Sequence, residues 1–181
     1  DRLPEAAKSA LEAAAILGDP ITRDLVAAMQ AVDLERAGEL LGLCVASGLL
    51  TSPDQARGSH ESHAFAFRHA LVRDVVLGVL TRARLKALHR QAFLALHAQP
   101  GATDVDAAPA LAHHAFGGEE WEQAARFAVK SMARAISRSA NQEAVQLLEK
   151  GIQAARRVEG ATTAQTLELA LRLEAIGAML A

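Results

Sequence analysis

Cysteine is almost missing from these 181 residues: Cys44 stands alone, which excludes an internal disulfide framework. It lies in the apolar run "LLGLCVASG", the setting of a small core residue and not of an activated nucleophile. Aromatic residues make up only 3% of the chain although 51% is hydrophobic, and alanine supplies most of the difference. That balance favours closely apposed helices over a sheet sandwich. Charge of one sign is lacking too. A formal net charge of -2 gives no global reason to bind nucleic acid or an anionic membrane. No apolar stretch approaches the roughly 18 residues of a membrane span, and the first residues lack the basic and apolar regions of a signal peptide. The expected setting is a reducing cytoplasm, with no membrane partner. Because the chain opens and closes inside helical patterns, it is expected to be a fragment of a longer polypeptide, truncated at both ends.

Helical periodicity dominates what is there. Ala7, Leu11, Ala14 and Ala15 share a face, and Pro4 suits a first helical turn, so residues 4–17 read as a helix ended by "GDP". Thr22 caps a second helix, with Ile21 and Val26 placed as a hydrophobic staple, and Asp33 caps a third that runs to a left-handed stop at Gly48. "LLTS" and "HAFAFRH" then read as two short strands joined by the polar loop "PDQARGSHES". Three helices followed by a hairpin is the order of a winged helix. From Ala70 the residues Val72, Val75, Val76 and Val79 form a helical stripe, and a further helix over Arg82–His97 aligns Leu85, Leu88 and Ala92. "QPGATD" breaks the pattern and marks a boundary near residues 99–105. Four more helical segments follow, rich in alanine at contact positions. "EEWEQAARF" is similar to the first helix of a tetratricopeptide repeat, but the related "NQEAVQLL" follows after about 20 residues instead of about 34. The expected fold is mainly α: a winged helix with a short β-hairpin over residues 1–98, then tetratricopeptide-like antiparallel helical hairpins over residues 106–181.

No phosphate-cradling GxxxxGK[ST] loop, GxGxxG turn, GxSxG elbow or acid/base carboxylate pair occurs, so no catalytic residue and no resident cofactor are expected. His113 and His114 are adjacent on a helix and cannot point the same way, and no Cys, Asp or Glu stands at zinc-site spacing near them. No metal site is expected. Trp121 opens a helix and reads as a packing residue. The third helix, which would read bases in a DNA-binding winged helix, carries Glu35 and Glu39 beside a single Arg36 and would repel a duplex. One basic cluster stands out: Arg68, Arg73, Arg82, Arg84, Lys86 and Arg90, opposed only by Asp74. It reads as a solvated helix face or as a surface for phosphate or an acidic partner domain.

The block "FAFRHALVRDVVLGVL", the basic helix after it, and "LAHHAFGGEEWEQAARFAVKSMARAISRSANQEAVQLLEKGI" together resemble the segment that follows the NTPase module in bacterial signalling ATPases of the STAND class. That class includes large LuxR-type transcriptional regulators and proteins joining an adenylate/guanylate cyclase domain to an ATPase and a helical array. The resemblance implies a noncatalytic regulatory and protein-interaction segment. Its parent would bind ATP or ADP in an upstream NTPase domain of the same chain, and its helical repeats would take a protein or small-molecule effector. "RHALVRDVV" is similar to the Met-His-Asp-Leu stretch in which a histidine reaches the phosphates of bound ADP and helps hold a closed state. His69 matches that histidine, while Arg68 and Ala70 replace the methionine and aspartate. The resemblance thus implies that His69, with Arg68 and Arg73 near it, senses nucleotide phosphate in the parent. The residues by themselves also allow a free-standing helical-repeat adaptor or a DNA-binding regulator, and they allow His69 to be a helix cap.

Overall fold

The computed structural model describes residues 3–52, 64–102 and 105–180, and the expected polar loop "PDQARGSHES" lies outside the described residues. The described chain is mainly helical with one small antiparallel two-stranded sheet. It forms two compact units, Asp1–Ala95 and Leu96–Ala181.

In the first unit, α1 spans Glu5–Leu17, α2 Arg23–Gln30 and α3 Leu34–Ala46. The caps are those the sequence signals: Thr22 Oγ1 accepts from the Leu25 N–H at 3.5 Å, and the Asp33 carboxylate accepts from the Arg36 N–H at 2.7 Å. Each satisfies one of the orphan donors of a first helical turn. Gly48, with φ of +74°, turns the chain after α3 in the left-handed conformation that glycine adopts without penalty. The chain then enters β1, Leu50–Thr51, which pairs with β2, Ala66–Phe67, in the register Leu50 to Phe67 and Thr51 to Ala66. Ile21 does more than staple a helix. It exchanges both backbone hydrogen bonds with Phe65, at 2.8 and 2.7 Å, and so extends the ladder by one bridge.

The core of this unit follows from apposition of small against large. Ala7, Ala10 and Ala14 of α1 let Leu40, Leu41 and Cys44 of α3 approach closely, and Leu50, Phe65 and Phe67 close the far side. Complete burial of one such leucine stabilises by about 1.5 to 3 kcal/mol. The Cys44 thiol hydrogen-bonds the Ala7 carbonyl at 3.5 Å, and burial pushes its pKa up to about 11, so it is an inert packing group. A second cluster, Ala13, Ile16 and Met29 with Leu88 and Ala92, packs helix α5, Arg82–His97, against α1.

Helix α4, Ala70–Gly78, departs from the expected single stripe. Val72, Val76 and Leu77 lean on the core, whereas Val75 is 57% exposed and Val79, just past the helix end, 76%. The covered strip of this nine-residue helix takes in Val72, Val76 and Leu77, and Val75 and Val79, four positions apart, fall together on one margin of it.

The second unit contains α6 (Ala108–Gly117), α7 (Trp121–Ser137), α8 (Asn141–Ala155) and α9 (Ala161–Leu180). The last three begin at 121, 141 and 161, a helix-plus-turn period of 20 residues. The connections repeat as well. After α6 the Glu120 N–H returns to the Ala115 carbonyl at 2.9 Å, and after α7 the Ala140 N–H returns to Ala135 at 2.9 Å. In both turns the residue before it, Glu119 or Ser139, is left-handed at φ of 60° or 57°. This is the six-to-one closure of a helix end, made without the usual glycine. The helices pack through alanine: Ala124, Ala125, Ala128 and Ala135 of α7 and Ala154 and Ala155 of α8 are buried. Gly151 of α8 is the tightest point. A Cβ there would lie 2.7 Å from Leu171 Cδ2 and 3.0 Å from Ala128 Cβ.

Candidate functional site

Of the residues that resemblance singles out, Arg68 and His69 stand at the junction between β2 and α4, and Arg73 lies in the first turn of α4. Backbone pairing fixes the strand end: the Phe67 N–H donates to Asp19 Oδ1 at 3.1 Å and the Arg68 N–H to the Leu49 carbonyl at 3.1 Å. Phe65 and Phe67 are buried on one face, as their alternation implies. His69 would be next on that face, but the chain turns first. It takes the N-cap position of α4 with φ of −140° and ψ of 132°, and its ring is exposed together with Arg68.

His69 makes no side-chain capping bond. The first turn of α4 also contains no acidic residue, as is true of α5, α6 and α9, whereas Glu5, Asp24, Glu35, Glu122 and Glu143 stand in the first turns of α1, α2, α3, α7 and α8. The partial positive charge of the α4 N-terminus is therefore not neutralised from within its own first turn, and it carries Arg68 and His69 beside it. Backbone N–H donors at a helix start, with a cation and an imidazole adjacent, form a group suited to an anionic oxygen.

Arg73 is turned elsewhere. Its Nε donates to the Ala15 carbonyl at 2.8 Å, in the last turn of α1, and its guanidinium lies over Gly18, where a Cβ would come within 3.3 Å of Nη2. A cation on the terminal carbonyls of a helix completes hydrogen bonds that the helix cannot make itself. Arg84 acts likewise from α5, pairing with Glu12 at 2.7 Å and donating to Ser9 Oγ at 3.1 Å. The basic cluster thus divides: Arg73 and Arg84 tie α4 and α5 to α1, while Arg68, Arg82, Lys86 and Arg90 are exposed. The tethering role of Arg73 and Arg84 has no signal in local sequence, since their partners lie 58 and 72 residues away.

On α3 the single arginine is engaged by its own helix, Arg36 pairing with Glu39 at 2.7 Å, and Glu35 is exposed beside it. In the second unit His114 is buried and His113 exposed, as adjacent helical positions require, and their rings meet edge to face at 5.0 Å. Trp121 packs edge-on against Phe116 at 5.6 Å with the Arg157 guanidinium 4.7 Å above its ring, a packing arrangement. A cleft of about 280 Å³ opens between α7, α8 and α9, lined by Met132, Ile136, Ala144, Val145, Leu148 and Ala175 with Asn141 as its polar member. No described helix is long and apolar enough to cross a membrane.

Comparison with known proteins adds one relative. The chain is 32% identical over 117 residues to an uncharacterized protein of Rhizobium meliloti (strain 1021), a match that spans 65% of this chain but 11% of the relative. No family model and no solved structure matches.

Proposed function

We propose that this chain is a noncatalytic regulatory segment of a multidomain signalling ATPase, in which His69 and Arg68 contact the nucleotide phosphates held by an NTPase domain of the same polypeptide. The observation that carries this reading is the start of α4: an exposed histidine at the N-cap that does no capping, an arginine next to it, and no acid in the first turn. A structural capping role for His69 would require the bond that is missing. The order of three helices and a hairpin supports a winged helix over residues 1–98, and the successive packed helices α6 to α9 with their repeated turns support a tetratricopeptide-like, irregular array over residues 106–181. The relative, of which this chain matches 11%, is consistent with a segment type found inside a much longer protein. Its output, transcriptional or cyclic-nucleotide synthesis, follows from the resemblance alone. Arg73 is removed from the phosphate-contacting set in this reading and assigned to holding α4 in place. The one arginine of α3 is paired with Glu39 and Glu35 is exposed beside it, which supports a role other than DNA binding.

The test is nucleotide exchange in the full-length parent. His69→Ala should accelerate ADP release and raise basal output, since loss of one charge-assisted phosphate hydrogen bond removes about 1.5 to 3 kcal/mol from the closed state. Unchanged exchange overturns the assignment.

A second reading, a helical-repeat adaptor, is favoured by α9. Leu169, Leu173 and Ile176 are more than half exposed on one side, while Leu167 and Leu171 are buried on the other. The two readings are compatible, because an effector on the helical array is how the regulatory segment would receive its signal.

A further inference from the structure

We propose that the cleft between α7, α8 and α9 is a binding site for a medium-chain aliphatic molecule with an uncharged amide head. It interrupts an interface that is tightly closed nearby. At Gly151 the helices meet so closely that an added Cβ would lie 2.7 Å from Leu171 Cδ2. One turn further along α9, at Ala175, the same helices leave a space of about 280 Å³. Met132 and Ile136 line it from α7, and Ala144, Val145 and Leu148 from one face of α8. Val145 is 55% exposed there. Alanine at 144 and 175 leaves room that a larger aliphatic would fill, and lining atoms without partners forfeit their dispersion contacts. An aliphatic occupant restores them.

Size and charge select the occupant. From Asn141 to Leu148 the cleft follows about 10 Å of α8. At about 30 Å³ for each water-sized group, 280 Å³ holds a chain of about eight or nine carbons. Among the described residues that line it none is charged and none is aromatic, which suits a straight chain over an ion or a ring. Asn141, at the start of α8, is the polar end. Its carboxamide both donates and accepts, and the helix start adds N–H donors that the N-cap residue Ala140 has no side-chain oxygen to satisfy. A shallow depression formed by residues 139–143 shares Asn141 with the cleft, and its charge is the carboxylate of Glu143. A carboxylate head would meet like charge there, whereas an amide offers a carbonyl oxygen to the N–H donors and an N–H to the Asn141 oxygen. The inference names a chemical class for the effector of the helical array and rests on that reading only in calling the occupant an effector; it does not depend on phosphate sensing by His69.

The experiment titrates the whole chain, labelled at its Ile, Leu, Val and Met methyls, with octanamide and separately with octanoate at neutral pH and low salt, read by methyl NMR shifts. Octanamide should shift the Met132, Ile136, Val145 and Leu148 methyls saturably and bind about fivefold more tightly than octanoate. Glu143→Gln should narrow that gap, and Asn141→Ala should weaken octanamide about tenfold. Ala144→Leu, which fills the cleft, should abolish the shifts without lowering the melting temperature; if that variant fails to fold, Ala175→Leu on α9 carries the same expectation. No saturable shift up to the solubility of octanamide, equal or tighter binding of octanoate, or undiminished binding in the folded filled variant overturns the proposal. So does a leucine-bearing helical peptide that shifts these methyls where octanamide does not, because the cleft is then a protein-docking site. Binding is read on this chain alone, so its failure leaves the nucleotide-exchange test of the parent standing.

Discussion

The two units solve the same problem, packing helices with few aromatics, by different means. The first interleaves alanines of α1 with large residues, Leu40, Leu41, Leu50, Phe65 and Phe67, and ties its last elements down with hydrogen bonds that span much of the unit. The second packs helix against neighbouring helix through alanine and Gly151, and its ion pairs include local ones such as Arg126 with Glu122 and Arg172 with Glu168. The lesson is about positioning. Long-range ties hold a particular junction, the start of α4, in one place; short-range repetition builds a surface that can be extended without specifying any one point on it.

The contrast can be broken most directly at its large-residue end. Leu41→Ala should cost about 3 kcal/mol, because the fully buried side chain leaves a cavity that fixed elements cannot close; chemical denaturation of the first unit's transition measures it. In the second unit the sensitive direction is the opposite one. Gly151→Val should cost about 2 kcal/mol by overpacking against Leu171 and Ala128, whereas Gly42→Ala on α3, where nothing lies within 4 Å, should stabilise by about 0.5 to 1 kcal/mol. Equal responses at the two glycines would erase the distinction. Ser139→Gly should stabilise the second unit by about 0.5 to 1 kcal/mol by relieving the left-handed residue in the repeated turn, again read by denaturation.

The smallest effect concerns acid. A hydrogen bond from Arg172 holds the Glu168 carboxyl below its ordinary range, so whatever the pair contributes is present at neutral pH and is lost as pH falls through that lowered value. Salt should remove it as well. Helicity of the second unit, followed by circular dichroism from neutral to acid at low and high salt, checks the sign. A gain on acidification would contradict it.

Much of this architecture was legible because it is local. Thr22, Asp33 and Gly48 mark helix ends by their own chemistry, the alternation of Phe65 and Phe67 marks a strand, and the recurrence of "NQEAVQLL" about 20 residues after "EEWEQAARF" matches the spacing at which α8 follows α7. What was not legible depends on partners distant in sequence. Nothing in "RHALVRDVV" says that Arg73 reaches Ala15 while Arg68 stays in solvent, because the difference is made by α1 lying beneath one side of α4. For the same reason periodicity grouped Val72, Val75, Val76 and Val79, and left out Leu71. The residues share an apolar half of the helix, and only the position of α1 decides which strip is covered. Ile21 looked like a staple because a one-residue bridge has no sequence pattern of its own.

The central claim is a division of labour at this junction: Arg73 holds α4, and His69 is left over for a ligand. Thermal melting of the chain with Arg73→Ala and with His69→Ala, side by side, tests it most directly. The account predicts that Arg73→Ala lowers the first unit's melting temperature by several degrees, as loss of a charged hydrogen bond of about 1.5 kcal/mol implies, and that His69→Ala leaves it unchanged. If His69→Ala destabilises the unit as much as Arg73→Ala, the histidine is part of the scaffold and the division does not exist.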